Sequence, residues 1–206
     1  MHWNVWLAFV AASALMGVIP GPGVTSIVGY ALGSGRRTAL AAVAGMALGN
    51  FIAITFSLAG VGAVLRASAY AFTILKWVGA IYLVGMGLIT IIRSRGEVEG
   101  PAAGAPIAPR VAFASNVAVG AFHPKTLVFF VAFVPQFIDA KASYGLQAAI
   151  LIATFCAVVA ATDAAYALAA SHASHLFRRS KAMLWSKRAG GGVLIAAGVA
   201  TAAARN

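Results

Sequence analysis

Two apolar stretches of membrane-spanning length are each interrupted near their middle. The first interruption reads Gly17-Val18-Ile19-Pro20-Gly21-Pro22-Gly23 and the second reads Gly120-Ala121-Phe122-His123-Pro124-Lys125-Thr126. The second begins 103 positions after the first, half the length of the 206-residue chain. Proline has no backbone N–H and its ring clashes with the preceding turn, so each interruption leaves main-chain groups without helical partners. Lipid cannot satisfy such groups, and irregular backbone survives at membrane depth only where protein buries it or a water-filled cavity receives it. Hydrophobic segments broken at corresponding places in two halves are the sequence mark of a transporter's binding site.

Composition agrees with a polytopic membrane protein. Hydrophobic residues make up 62% of the chain and charged residues 9%, against roughly 25% charged in a soluble domain. The mean hydropathy is +0.92. Charges gather in short stretches separated by apolar runs of about 20 residues, the length that crosses the hydrocarbon core. The net charge of +11 is accounted for by loop charges that orient the chain, and no nucleic-acid partner is expected. No positive segment precedes the first apolar run, which also exceeds signal-peptide length, so a cleaved leader is not expected. The single cysteine, Cys156, excludes an internal disulfide and a relay that needs a thiol pair. The four histidines and this cysteine show no metal-site spacing. The absence of a nucleotide-binding motif argues against ATP hydrolysis by this chain, and no cofactor is expected.

Hydropathy predicts an all-α membrane protein of six spans: Trp3–Leu32, Ala39–Leu65, Ala69–Ile92, Val111–Ile138, Leu146–Ala170 and Ala189–Ala204. Met183, Leu184 and Trp185 can extend the last one at the interface. Ser94–Pro109, rich in glycine and proline, reads as a flexible loop. Lys76–Gly87 aligns with Lys187–Gly198 at a constant offset of 111, with Lys, Gly, Leu and Gly coinciding. Together with the paired breaks, this predicts one transmembrane domain built as two three-helix repeats, about 1–93 and 111–206, joined by the loop at about 94–110. An odd number of spans per repeat makes the copies inverted. Ten basic residues follow spans one, three and five: Arg36, Arg37, Arg93, Arg95, Arg110, Arg178, Arg179, Lys181, Lys187 and Arg188. Four lie on the other side: Arg66, Lys76, Lys141 and Arg205. That excess predicts a cytoplasmic position for the first group and both termini on the non-cytoplasmic side.

The residues able to carry chemistry lie at or near the breaks. Pro20-Gly21-Pro22-Gly23 should split the first span into half-helices whose exposed N–H and carbonyl groups can bind a small zwitterion; the alternative is a simple kink. In the second break, Pro124 precedes Lys125, flanked by Phe122 and by Leu127-Val128-Phe129-Phe130. A cation at that depth faces a cavity or a partner, unless the span starts later and the lysine reaches the interface. His123 could relay protons or serve as a hydrogen-bonded structural group. Asp163 is the only acidic residue inside a predicted span. It could pair with Lys125, bind a substrate ammonium or carry a coupling proton. Tyr166 and Cys156 share its helix face. Asn50 is a further polar group at depth, next to a Gly45/Gly49 spacing suited to close helix packing; Asn50 could reach the cavity or bond across helices.

In these residues the chain resembles the LysE/RhtB family of bacterial amino-acid exporters. The resemblance rests on Pro20-Gly21-Pro22, Lys76–Leu83, Pro124-Lys125-Thr126 followed by Phe129-Phe130, Pro135-Gln136-Phe137, and Asp163 followed by Tyr166 and Ala167. It extends over nearly the whole chain and departs at His123, where family members more often carry asparagine. It implies a six-helix, multi-pass inner-membrane exporter of amino acids or close derivatives, driven by the proton gradient, with membrane lipid as its surroundings and a homo-oligomer as an option. The expected substrate-binding set is Pro20, Gly21, Pro22, Gly23, Asn50, His123, Pro124, Lys125, Asp163 and Tyr166, with Asp163 and His123 for proton coupling. The competing readings are an exporter of metal cations or other small solutes, which the sparse ligand set disfavours, and a non-transporting membrane scaffold.

Overall fold

The computed structural model describes residues 2–67, 106–139 and 141–172 continuously, with isolated helical positions between 73 and 92 and at 195 and 199. The sixth span, most of the third, the loop at 94–105, the Lys76/Lys187 internal match and the basic residues at 93, 95, 178, 179, 181, 187, 188 and 205 lie outside the described residues. Among the described residues all regular structure is helical. Helix α1 is Trp3–Val18, α2 Pro22–Ser34, α3 Arg36–Ala67, α4 Pro109–Ala121, α5 Pro124–Val128 and α6 Tyr144–His172. Between α5 and α6 the chain passes through a π turn, Phe129–Phe133, and a 3-10 turn, Val134–Phe137.

Proline punctuates this order. Pro22, Pro109 and Pro124 stand in the first turns of α2, α4 and α5, where the missing N–H has no helical partner to lose. Pro20 lies in the gap between α1 and α2, which bend from one another by 53°. Counted as one broken span, that pair joins α3 and α6 as segments long and apolar enough to cross a membrane, three among the described residues. The fourth predicted span is more fragmented than expected: α4 holds 13 residues and α5 only 5. The π and 3-10 turns then relocate hydrogen bonds that an α-helix over the same residues would keep. A second departure lies between α2 and α3. The anticipated loop there is a single residue, Gly35, and Arg36 and Arg37 belong to the first turn of α3. Gly35 has φ +83°, a conformation that costs glycine little and any other residue more.

Two core clusters lie on either side of the breaks. Phe9 and Met16 of α1 pack with Ile54 and Leu58 of α3, Phe129, Phe130 and Val134 beyond the second break, and Leu151 and Phe155 of α6. Val24, Ile27, Val28 and Ala31 of α2 pack with Ala39, Ala42, Val43 and Met46 of α3, Ala112 of α4, and Ala167 and Ala170 of α6. The half before the first break therefore shares a core with the half after the second, and the reverse holds for the other pair. The two broken segments run antiparallel and meet at their interruptions. Helices α1 and α6 run parallel, since Trp6 Nε1 donates to Thr154 Oγ1 at 3.1 Å and the Tyr166 hydroxyl donates to the Val18 carbonyl at 2.7 Å.

Helices α3 and α4 touch backbone to backbone. A Cβ on Gly45 would meet the Phe113 carbonyl oxygen, and one on Gly49 would meet the Val117 carbonyl oxygen and, at 2.8 Å, the Ala121 nitrogen and Gly120 Cα. The Gly45/Gly49 spacing is thus a packing seam that lets the second break approach α3. At one end of the bundle the Ile107 N–H donates to Ser34 Oγ at 2.8 Å and Thr38 Oγ1 donates to the Ile107 carbonyl at 3.2 Å. That places exposed Arg36, Arg37 and Arg110 at a common end. The start of α6 lies at the opposite end, where the Tyr144 hydroxyl donates to the Leu58 carbonyl at 2.6 Å.

Candidate substrate site

The chemistry of the first break follows from proline arithmetic. In an α-helix the carbonyl of residue i accepts from the N–H of residue i+4. Residues 20 and 22 are prolines, so the carbonyls of Met16 and Val18 have no helical donor. Both find one on another helix. Lys125 Nζ donates to the Met16 carbonyl at 2.9 Å and to the Ile19 carbonyl at 3.3 Å. The Tyr166 hydroxyl takes the Val18 carbonyl at 2.7 Å. An ammonium at the carbonyl end of α1 also complements the negative end of the helix dipole.

Lys125 reaches this position because Pro124 starts α5 one residue earlier, turning the side chain inward from the second break. Its residue is 7% exposed, and Asp163 on α6 is 3% exposed. Lys125 is buried, and its ammonium turns to the end of α1 rather than outward. Its hydrogen bonds go to main-chain carbonyls, while Asp163 stands within electrostatic reach. Among the described residues no hydrogen bond is made to the Asp163 carboxylate. Thr162, beside it, fills the space that a Cβ on Gly17 would take, which brings this turn of α6 against the first break.

A second set of polar groups approaches from α3 and α5. Thr126 Oγ1 donates to Asn50 Oδ1 at 3.4 Å and lies 3.4 Å from His123 Nδ1. The hydroxyl thus links the Asn50 side chain to the Nδ1 edge of His123. His123 Nε2 is buried and has no hydrogen-bond partner among the described residues. Nearer the basic end, Ser26 Oγ donates to Asn116 Oδ1 at 2.8 Å, tying α2 to α4.

These groups surround one cavity, lined among others by Met16, Gly17, Ile19, Gly21, Gly23, Met46, Asn50, His123, Lys125, Thr126 and Asp163. The room for water centres inside it is about 20 Å³, enough for one water molecule and far too little for an amino acid. Of the residues named from the sequence, Gly21, Gly23, Asn50, His123, Lys125 and Asp163 meet at the cavity. Pro20 and Pro22 shape the main chain behind it, Pro124 opens α5, and Tyr166 reaches the outer side of the break at Val18. Sequence reasoning passed over Met16, Met46, Val24, Phe155 and Val159, which also line the cavity, and Asn116, which is fully buried. Met16 had a signal, standing four residues before a proline; the others are apolar or mid-helix residues with none.

The sequence pattern of the family described as "LysE type translocator" matches residues 14–204. The chain belongs to this family. Two similar proteins match this LysE type translocator over its whole length and a third over part of it. A homoserine/homoserine lactone efflux protein of Salmonella typhimurium is 30% identical over 206 residues, the whole of both chains. An uncharacterized membrane protein of Vibrio cholerae is 29% identical over 205 residues, again the whole of both. A leucine efflux protein of Enterobacter sp. is 25% identical over 154 residues, 73% of this chain and 71% of its own. No solved structure matches. The family places this chain among membrane transporters rather than enzymes.

Proposed function

We propose that this protein exports amino acids or close derivatives across the bacterial inner membrane, coupled to protons. The observation that carries this reading is a cation and a carboxylate, Lys125 and Asp163, buried in one cavity where two helix breaks meet. A zwitterion presents the complementary pair. Its carboxylate draws the Lys125 ammonium off the Met16 and Ile19 carbonyls, and its own ammonium turns to Asp163 and to the carbonyls thus vacated. Asp163 carries the coupling proton. The cavity's small size requires the two breaks to part for loading, and the bent α1–α2 pair and the short α5 are where such motion is least resisted.

The wider layout belongs to the same proposal: six spans in two inverted repeats forming one domain, with the basic end cytoplasmic and the termini outside. The antiparallel meeting of the two broken segments supports it. The relatives' names, homoserine and leucine efflux, point to amino-acid cargo. The test is counterflow of radiolabelled L-homoserine and L-leucine into proteoliposomes preloaded with the unlabelled amino acid. Saturable uptake of at least one is expected. Failure of a panel of amino acids to exchange, with protein folded and reconstituted, overturns the proposal.

A further inference from the structure

We propose that α2 is the gate between the cavity and the basic end, and that the Ser26–Asn116 hydrogen bond is its latch. This rests on the export reading above and adds the route by which cargo reaches Lys125.

Ser26 stands four residues after Pro22, and Asn116 four residues before Gly120. Because the broken segments run antiparallel, both lie about one helical turn from the breaks, on the side of Arg36, Arg37 and Arg110. Ser26 Oγ donates to Asn116 Oδ1 at 2.8 Å, and Asn116 Nδ2 donates to the Ala112 carbonyl of its own helix at 3.0 Å. Asn116 is fully buried, and a buried amide oxygen needs a donor. Ser26 supplies it while α2 lies against α4; water entering from the basic end supplies it when α2 leaves.

The two sides of the cavity are sealed unequally. Towards the other end the Phe9 ring packs against Phe129, Phe130 and Phe137, and Lys125 and Tyr166 clasp the carbonyls at the end of α1. Among the described residues, the eleven buried members of that cluster include four phenylalanines and one alanine, whereas the eleven around α2 include six alanines and no phenylalanine. Alanine offers few atoms for contact, and contacts and hydrogen bonds are what hold membrane helices together. Helix α4 is fixed, since its backbone abuts α3 at Gly45, Gly49 and Gly120. Helix α2 has a glycine at each end, Gly21 before it and Gly35, with φ +83°, after it. End residues that absorb backbone rotation are how a rigid element swings. Beyond its own turns, α2 side chains hydrogen-bond at two places among the described residues: Ser26 to Asn116 and, beside Gly35, Ser34 with the Ile107 N–H.

The experiment measures N-ethylmaleimide labelling of the full chain in micelles, with Cys156→Ala removing the native thiol. Ala42→Cys places a reporter in the α2 cluster and Ala148→Cys places one in the other. Ser26→Ala should speed labelling at 42 about 2- to 13-fold, the shift that follows from losing one hydrogen bond, and leave labelling at 148 unchanged. Ser26→Thr keeps the hydroxyl and should keep the parent rate. No change at 42, or equal acceleration at both positions, overturns the latch. A second measurement asks whether the motion serves transport. In proteoliposomes, joining Ser26→Cys to Asn116→Cys with a short bis-methanethiosulfonate should stop amino-acid exchange until reductant is added. Joining Trp6→Cys to Thr154→Cys, across the hydrogen-bonded α1 and α6, should not. Exchange that continues in the first pair, or stops in both, overturns the gate. Labelling needs no cargo, so the absence of any amino-acid exchange by the parent protein overturns the export reading and leaves the gate to the labelling result.

Discussion

Replacing Tyr166 with phenylalanine isolates a single interaction of the first break. The substitution removes one hydroxyl and leaves the ring, so the loss is the 2.7 Å hydrogen bond to the Val18 carbonyl. Val18 is 55% exposed, and at membrane depth lipid would offer its carbonyl no replacement donor. The helical donor is missing as well, because residue 22 is proline. Hydrogen bonds between membrane helices average about 0.6 kcal/mol and reach about 1.7. The orphaned carbonyl puts Tyr166→Phe in the upper part of that range, about 1–1.7 kcal/mol. Unfolding in mixed micelles with increasing dodecyl sulfate should show a roughly 5- to 20-fold shift in the folding equilibrium. The same change made in a Pro22→Ala background supplies the deciding comparison. Alanine restores an N–H four residues after Val18, so the tyrosine should then matter by less than about 0.5 kcal/mol, within the scatter of independent sites. A neutral Tyr166→Phe, or an equal cost in both backgrounds, would refute the view that proline creates the vacancy that tyrosine fills.

Two further outcomes follow from the packing and the charges. Gly49→Ala pushes a methyl into the α4 backbone at Val117 and Gly120 and should lower stability by about 1–3 kcal/mol, whereas Gly145→Ala, with open space around it, should be neutral; equal effects in thermal unfolding would dispose of the seam. Asp163→Asn should abolish efflux driven by a pH gradient and leave substrate-for-substrate exchange, which need not release a proton; full driven efflux in this variant removes Asp163 from the coupling step.

Much of the architecture was legible because proline and glycine act locally. The breaks at Pro20–Pro22 and at Pro124 needed no knowledge of the rest of the molecule. The ends of α3 and α6 fell within a few residues of the expected spans, since apolar runs and helix length are both local properties. Two features escaped for the opposite reason. The π and 3-10 turns over Phe129–Phe137 arise where aromatic rings must nest against Phe9 and Phe155, as in the edge-on Phe130–Phe155 contact at 4.8 Å, and no local pattern encodes that. Lys125 and Asp163 were legible as an expensive pair at depth. That the lysine would seek main-chain carbonyls was half legible: Met16 and Val18 follow from counting back four from each proline, but the identity of their donors depends on how three helices cross. His123 could be located but not interpreted, because its free edge becomes visible only when Thr126 and Asn50 are seen on the other.

The wiring of the first break also sets an order of events in synthesis. The Met16 carbonyl is satisfied by a residue 109 positions later and the Val18 carbonyl by one 148 positions later. At roughly 5–20 residues per second of translation, the first span waits roughly 5–30 s with bare carbonyls at a depth where lipid cannot serve them. During that interval it cannot be a settled membrane helix. It must rest where water or an insertion partner reaches its middle, and it reaches its final form only when α5 and α6 arrive. A segment made before its partners is thus finished only when they arrive. A chain truncated before Lys125 should present its first span to the cell's quality-control proteases as an incomplete one.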